Sequence, residues 1–458
     1  MLRAVLAAAA ALVLARAAAA PAGAATRFVR IAGTDEPGTP ARYDRVGILK
    51  VGAPAARNVL VLNPGTSASA AYFRPLARAI AQRRPAWQVW AVERRENLLE
   101  DHTLLDRGKA GGATIRQVFG YYLGWLADAS ITEHVRLIGD AEVPFARDWG
   151  MATEVGDVRR VMRRAARLGG RVVLGGHSLG GTITTAYATW DFGGRAGAAG
   201  LDGLVFIDGA SRAAALTADE ARAALADLGA GSPWLTFGGI AAPFTGLFNS
   251  TGSLSVKLAP DEPSDGQQSG LLPANLVPPV RVTNAGLYGF ALDTATSPAG
   301  LAAAQAHLGH LAAAGDPRGW DDAGELTPLD RYATVFSGWG LRGLDGTAWY
   351  HPRRLTLDAG AVANGVANPA QDVMGVRAIH GAELPHRLRM YAFGASLGGT
   401  RVLDATRALA RRSGIPRRRL TLVDRHATYA HNDPNSARPG RNAFLRHLVP
   451  FLRAVRRG

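Results

Sequence analysis

The chain has 458 residues, 47% hydrophobic and 19% charged, a balance that excludes a disordered or collagen-like polypeptide. It contains no cysteine, which also excludes disulfide frameworks, thiolate metal sites and cysteine nucleophiles. The 52 Lys and Arg outnumber the 37 Asp and Glu for a formal net charge of +15, but the basic residues are almost all arginine and run the length of the chain, so they read as a solvated surface and not as a nucleic-acid site.

Residues 1–24 have the parts of a secretory signal: Arg3, an Ala/Leu/Val run from Ala4 to Leu14, and small residues ending in Ala22-Gly23-Ala24. The apolar run is too short to span a bilayer, and no later stretch reaches about 18 uninterrupted apolar residues. The expectation is a secreted, extracellular protein cut near Ala24, with no transmembrane helix after the signal is removed.

Two β-rich runs, 28–31 and 42–51, are joined by a Gly/Pro/Asp loop and predict a hairpin. The rhythm then changes to continuous apolar runs alternating with helical spacing. Strands are predicted at 58–62, 88–92, 171–175 and 204–207, and helices at 72–81, 154–168 and 181–190. Continuous apolar strands separated by helices imply a mostly parallel sheet covered on both faces, an α/β fold. The alternation stops after Asp208 and resumes near Arg387, with a strand at 388–393, a helix at 400–411, a strand at 420–423 and a helix at 442–455. The expected organisation is a signal over 1–24, a first core segment over 25–210 carrying an insertion at 97–149, a large, mainly helical cap over 211–386, and a second core segment over 387–458.

Gly176-His177-Ser178-Leu179-Gly180 fits G-x-S-x-G, in which a serine sits on a strained strand-to-helix turn and the glycines remove side chains that would collide with neighbouring backbone. The string alone is weak: with 55 glycines, chance supplies roughly a quarter of a match. A second match does exist at Gly394-Ala395-Ser396-Leu397-Gly398, also between a strand and a helix.

With these motifs the two sheet segments, about 50–208 and 387–458, resemble the α/β-hydrolase family. In that family the catalytic order is Ser, then Asp or Glu, then His, with at least one strand between nucleophile and histidine carrying the acid. Ser178 leaves room for that order; Ser396 does not, and reads as a tight Gly-rich strand end. The resemblance implies two oxyanion-hole N–H groups. One is that of Leu179; the other comes from the loop Asn63-Pro64-Gly65-Thr66-Ser67, with Thr66 and Ser67 both candidates. It also places the histidine after the last strand, at His431 or His426. His431 is favoured because Tyr429-Ala430-His431-Asn432-Asp433 is similar to the Tyr-x-His-x-Asp segment of the acid-lipase branch.

The acid is the least regular member. No carboxylate occupies the usual place after the penultimate strand, and Asp208, in Phe206-Ile207-Asp208-Gly209, is preferred over Asp404. His177 is expected to be structural. His307 and His310 are expected on a helix without a third ligand, so no metal site and no cofactor are expected. The run Glu93-Arg94-Arg95-Glu96-Asn97 ends its strand near the same rim, where it could shape the pocket, but is expected to be a salt-bridged surface. Trp234, Phe237, Phe244 and Phe248 suit an apolar acyl chain, so the expected substrate is a small-molecule or lipid ester cleaved through an acyl-enzyme. A peptidase or acyltransferase with the same triad, or a non-catalytic exported binding protein, stays open, as does the oligomeric state.

Overall fold

A computed structural model describes residues 24–457; the expected signal, apart from Ala24, lies outside the described residues. Ten strands are described: β1 (Thr26–Ala32), β2 (Arg45–Val51), β3 (Asn58–Asn63), β4 (Trp87–Glu93), β5 (Val172–His177), β6 (Gly203–Ile207), β7 (His310–Gly315), β8 (Arg318–Asp321), β9 (Arg389–Gly394) and β10 (Leu420–Asp424). Eight form one sheet in the order β1-β2-β4-β3-β5-β6-β9-β10. The β1–β2 hairpin joins it antiparallel through β4, and every other pairing is parallel.

The continuous apolar strands are explained by burial on both faces. Leu60 and Leu62 of β3, Val89 of β4 and Val205 of β6 pack on one side with Leu76 and Ile80 of helix Arg74–Arg83 and with Leu448 and Leu452 of helix Ala443–Arg457. Their neighbours Val59, Val61, Trp90 and Phe206 face the opposite side, with Val155 and Val158 of helix Met151–Ala166, Ile183 of helix Leu179–Thr189 and Val402 of helix Thr400–Arg412. Each such fully buried side chain contributes about 1.5–3 kcal/mol. The chain is thus an α/β protein with a mostly parallel central sheet flanked by helices.

Between β6 and β9 lie helices Ala218–Ala230, Phe244–Leu258, Asn284–Leu292, Leu329–Phe336, Arg353–Ala359 and Pro369–Met374 and the small β7–β8 hairpin. Part of this stretch packs on the sheet's own layer, through Ala221, Leu355 and Met374. Another part joins residues 97–149 in a separate apolar cluster, where Leu104, Val118 and Tyr122 meet Leu247, Leu254 and Trp349.

Two sequence expectations are overturned here. His307 and His310 do not share a helix: His310 opens β7, and Gly309 between them adopts φ 124° with its Cα so close to Asp321 that a Cβ would lie 2.1 Å from the Asp321 carbonyl oxygen. The run from Glu93 to Asn97 is not surface; its five residues are at most 4% exposed. It continues β4 past the edge of the sheet into the interior, where its charges are paired. Arg95 contacts Asp157 and Asp44, each at 2.8 Å, and Arg94 contacts Glu96 at 2.7 Å. Buried charges persist only when partnered in this way. Among the described residues no helix is long and apolar enough to cross a membrane.

Glu154, on helix Met151–Ala166, is buried beside this run, and its Oε1 has no hydrogen-bond partner among the described residues. Burial pushes its carboxyl up from the ordinary 4.5 to about 8, against the pull of Arg94. The folded chain therefore keeps a proton that the unfolded chain has released, and stability falls as pH rises from 4.5 to about 8. Glu154→Gln should leave Tm unchanged near pH 5 and raise it above roughly pH 8; calorimetry that finds the same Tm difference at both pH values would refute this.

Candidate active site

The parallel strands β3, β5, β6, β9 and β10 all end at one edge of the sheet, where ligands of open α/β sheets bind. β5 ends at His177, and Ser178 turns sharply, at φ 56°, into helix Leu179–Thr189. The turn is clamped by hydrogen bonds from Ser178 N to the Ile207 carbonyl at 3.0 Å and from Gly181 N to the Ser178 carbonyl at 2.8 Å. Both glycines of the motif are sterically required. A Cβ on Gly176 would lie 2.1 Å from the Gly180 carbonyl oxygen, and one on Gly180 would lie 2.0 Å from that of Asn63.

At the end of β6, Asp208 is 2% exposed, and its carboxylate accepts a hydrogen bond from His431 Nδ1 at 2.6 Å. It also accepts from three backbone N–H groups, those of Ala395 (2.6 Å), Leu397 (3.2 Å) and Gly398 (3.0 Å). The second G-x-S-x-G string is thus the cradle of this carboxylate, and Ser396 itself is exposed. Burial pushes the Asp208 carboxyl up, but the His431 hydrogen bond and charge and the Ala395 N–H outweigh it and hold the carboxyl below its ordinary value.

His431 Nε2 is buried and has no hydrogen-bond partner among the described residues, Ser178 included. His431 and Ser178 line the same cavity. His177 packs against the His431 ring, with centroids 4.2 Å apart, and its Nε2 donates to the His431 carbonyl at 2.8 Å. Burial first, then the charge of His431, takes the His177 imidazole well below its ordinary value, so it stays neutral. Asp433 holds the loop from below. It is fully buried and accepts from His307 Nδ1 at 2.6 Å, Thr327 Oγ1 at 2.7 Å and Ala430 N at 2.7 Å.

The loop after β3 reaches Ser178 so closely that a Cβ on Gly65 would lie 2.9 Å from the Ser178 Cβ. Thr66 and Ser67 both line the cavity, and the N–H of Ser67 is directed to His351 Nδ1 at 3.4 Å. Leu179 is the first helical residue, so its N–H has no intrahelical acceptor. Sequence reasoning gave Arg94 no role of its own beyond its place in a run near the rim; its buried guanidinium donates to the carbonyls of Pro64 (3.1 Å), Gly65 (3.0 Å) and Ala68 (2.9 Å) and so fixes this loop from behind. The charge-rich run at the end of β4 was its only signal.

The remaining candidates lie apart. Asp404 is an exposed helix residue paired with Arg407, and His426 is exposed and paired with Asp424 at 2.6 Å. The cavity has about 1260 Å³ of empty space including its open mouth, and its walls are mostly apolar. Phe237 and Phe248 are among them, but Trp234 and Phe244 are not. Trp234 packs against Tyr350 and Trp149, and Phe244 borders the same apolar cluster.

No family model and no curated protein matches the sequence. Among solved structures, the chain is similar to a candidate lipase from Sulfolobus solfataricus, with 13% identity over 94% of this chain and 95% of that one and a TM-score of 0.49. It is also similar to a thermostable carboxyl esterase from Bacillus coagulans (13% identity, 93% and 98% covered, TM-score 0.43) and to a monoacylglycerol lipase from Paleococcus ferrophilus (12%, 89% and 98%, 0.38).

Removing the Arg94 guanidinium would strand the buried Glu96 carboxylate and the carbonyls of Pro64 and Ala68, and would leave that of Gly65 only the Ala68 N–H at 3.4 Å. Arg94→Met should therefore cost about 3–5 kcal/mol, read as a lower urea midpoint; a midpoint within error of wild type would show that the loop holds itself.

Proposed function

We propose that the chain is a serine hydrolase of the α/β-hydrolase family that cleaves carboxylic esters with an apolar acyl group. The observation that carries this reading is the polarity of His431: one ring nitrogen is on a buried carboxylate, the other has no hydrogen-bond partner among the described residues, and the residue lines the same cavity as Ser178. An imidazole whose Nδ1 is engaged by a carboxylate leaves Nε2 to act as general base.

In the proposed cycle, Ser178 Oγ attacks the ester carbonyl carbon and gives its proton to His431 Nε2. Asp208 stabilises the imidazolium through Nδ1–H without taking the proton. The tetrahedral oxyanion is received by the N–H groups of Leu179 and Thr66, since Ser67 is committed to His351. His431 then protonates the leaving alcohol. Water, deprotonated by the same nitrogen, releases the acid and restores Ser178. The mostly apolar walls, Phe237 and Phe248 included, favour an acyl chain over a charged substrate. We further propose export, with residues 1–24 removed, because of their charged start, apolar run and small-residue end.

Hydrolysis of p-nitrophenyl esters from acetate to long acyl chains should be measurable, with Ser178→Ala, His431→Ala and Asp208→Asn each losing roughly 10⁴-fold in kcat. Ser396→Ala, His426→Ala and Asp404→Asn should stay near wild type, and a fluorophosphonate should label Ser178 alone. No turnover on any ester together with no label would leave a binding protein, and loss at Asp404 in place of Asp208 would move the acid. Mass spectrometry of the secreted protein should find an N-terminus at Ala25 or Thr26; an intact Met1 would refute cleavage.

A further inference from the structure

A second polar cluster lies in the wall between residues 97–149 and the inserted segment. The carboxylates of Glu100 and Asp345 and the imidazole of His102 converge with their ligand-type atoms all within 4.8 Å of one another. His102 Nε2 is 3.2 Å from Glu100 Oε2 and 3.7 Å from Asp345 Oδ2. The three side chains are only 1%, 9% and 0% exposed for Glu100, His102 and Asp345, yet Glu100 Oε2 and His102 Nε2 have no hydrogen-bond partner among the described residues. The nearby ammonium of Lys109 is committed elsewhere, to Asp106 at 2.8 Å and the Leu344 carbonyl at 2.9 Å.

The surroundings aim these groups. The Trp349 N–H donates to Glu100 Oε1 at 2.7 Å, and the Trp349 indole N–H donates to Asp345 Oδ2 at 3.0 Å, an oxygen that also accepts from Ser250 at 2.6 Å. The His102 ring packs on the same indole, with centroids 5.3 Å apart. Hydrogen bonds of this kind orient the ligands of metal sites.

We propose that Glu100, His102 and Asp345 bind one divalent ion of the zinc type, with water as the fourth ligand. One imidazole nitrogen and two carboxylate oxygens are a donor set that zinc takes. A tetrahedral ion bonded at roughly 2.0–2.1 Å holds its ligands about 3.3 Å apart, close to the 3.2 and 3.7 Å separations here. Calcium needs more oxygen ligands than this cluster offers. A groove lined by Asn97, His102, Lys109 and residues 340–343 gives an ion and its water a way in.

The ion's role is structural, since the site does not touch Ser178. Asp345 leads into Gly346 and Ala348, which pair with the oxyanion loop: Ser69 N donates to the Gly346 carbonyl at 3.2 Å, and Ala348 N to the Ser67 carbonyl at 2.9 Å. Zinc would staple that segment to residues 100 and 102 and stiffen the loop.

The test uses the full chain carrying Ser178→Ala, so that it is independent of ester hydrolysis. After chelator treatment, added Zn²⁺ should be retained at about one ion per chain through gel filtration and should raise Tm by several degrees, while Ca²⁺ and Mg²⁺ do neither. His102→Gln and, separately, Glu100→Gln should each weaken zinc binding by roughly 100-fold or more with an unchanged far-ultraviolet circular dichroism spectrum. A Ser178→Ala chain that retains no zinc, or folded Gln variants that bind it as tightly as the parent, would overturn the proposal.

Discussion

The hydrogen-bonding demand of one buried carboxylate organises the working edge of this molecule. Asp208 sits where β6 ends, has no access to water, and must find all its donors in the protein. It finds them on two other segments, the turn after β9 and the histidine loop after β10. Three strand ends far apart in sequence are thereby held to one point. A carboxylate that lost one of these donors would keep its desolvation cost and lose the bond that offsets it. Satisfying Asp208 therefore also sets the orientation of His431.

Arg94 does the complementary work at the other side of Ser178. There the problem is a loop whose carbonyls point inward, of which only that of Gly65 has a backbone donor, the Ala68 N–H at 3.4 Å. A guanidinium is suited to this, because its donors are fixed in a plane and can serve several oxygens at once. Glu96 keeps that cation neutralised at 2.7 Å without competing for all of its donors. A buried acid with backbone donors and a buried base with backbone acceptors flank the elbow, and both hold main chain in place.

Much of this was legible in the sequence because it depends on period and on glycine. The central strands β3, β5 and β6 were visible as short continuous apolar runs, since strands covered on both faces have few polar positions to interrupt them. The elbow was visible because its two glycines answer a steric demand that no other residue meets. What stayed hidden depends on long-range pairing. Arg94 and Arg95 look like surface residues until Glu96, Asp157 and Asp44 are seen beside them, and Glu100, His102 and Asp345 have no spacing signature because two of them come from one insertion and the third from another. The second G-x-S-x-G string taught a different lesson. The string encodes a tight strand-to-helix turn, and such a turn can present a side chain, as at Ser178, or a row of N–H groups forming a nest for an anion, as at residues 395–398.

The bond between His307 and Asp433 ties two parts of the chain together beside the histidine loop. His307 belongs to the segment between β6 and β9, and Asp433 lies two residues beyond His431; their contact at 2.6 Å is reinforced by the His307 N–H at 3.1 Å and by Thr327. The stretch around His307 cannot move away from Asp433 without pulling on the loop that carries His431. The position of His307 in the inserted segment is in this way coupled to that of His431, so a substitution that loosens the one is felt at the other.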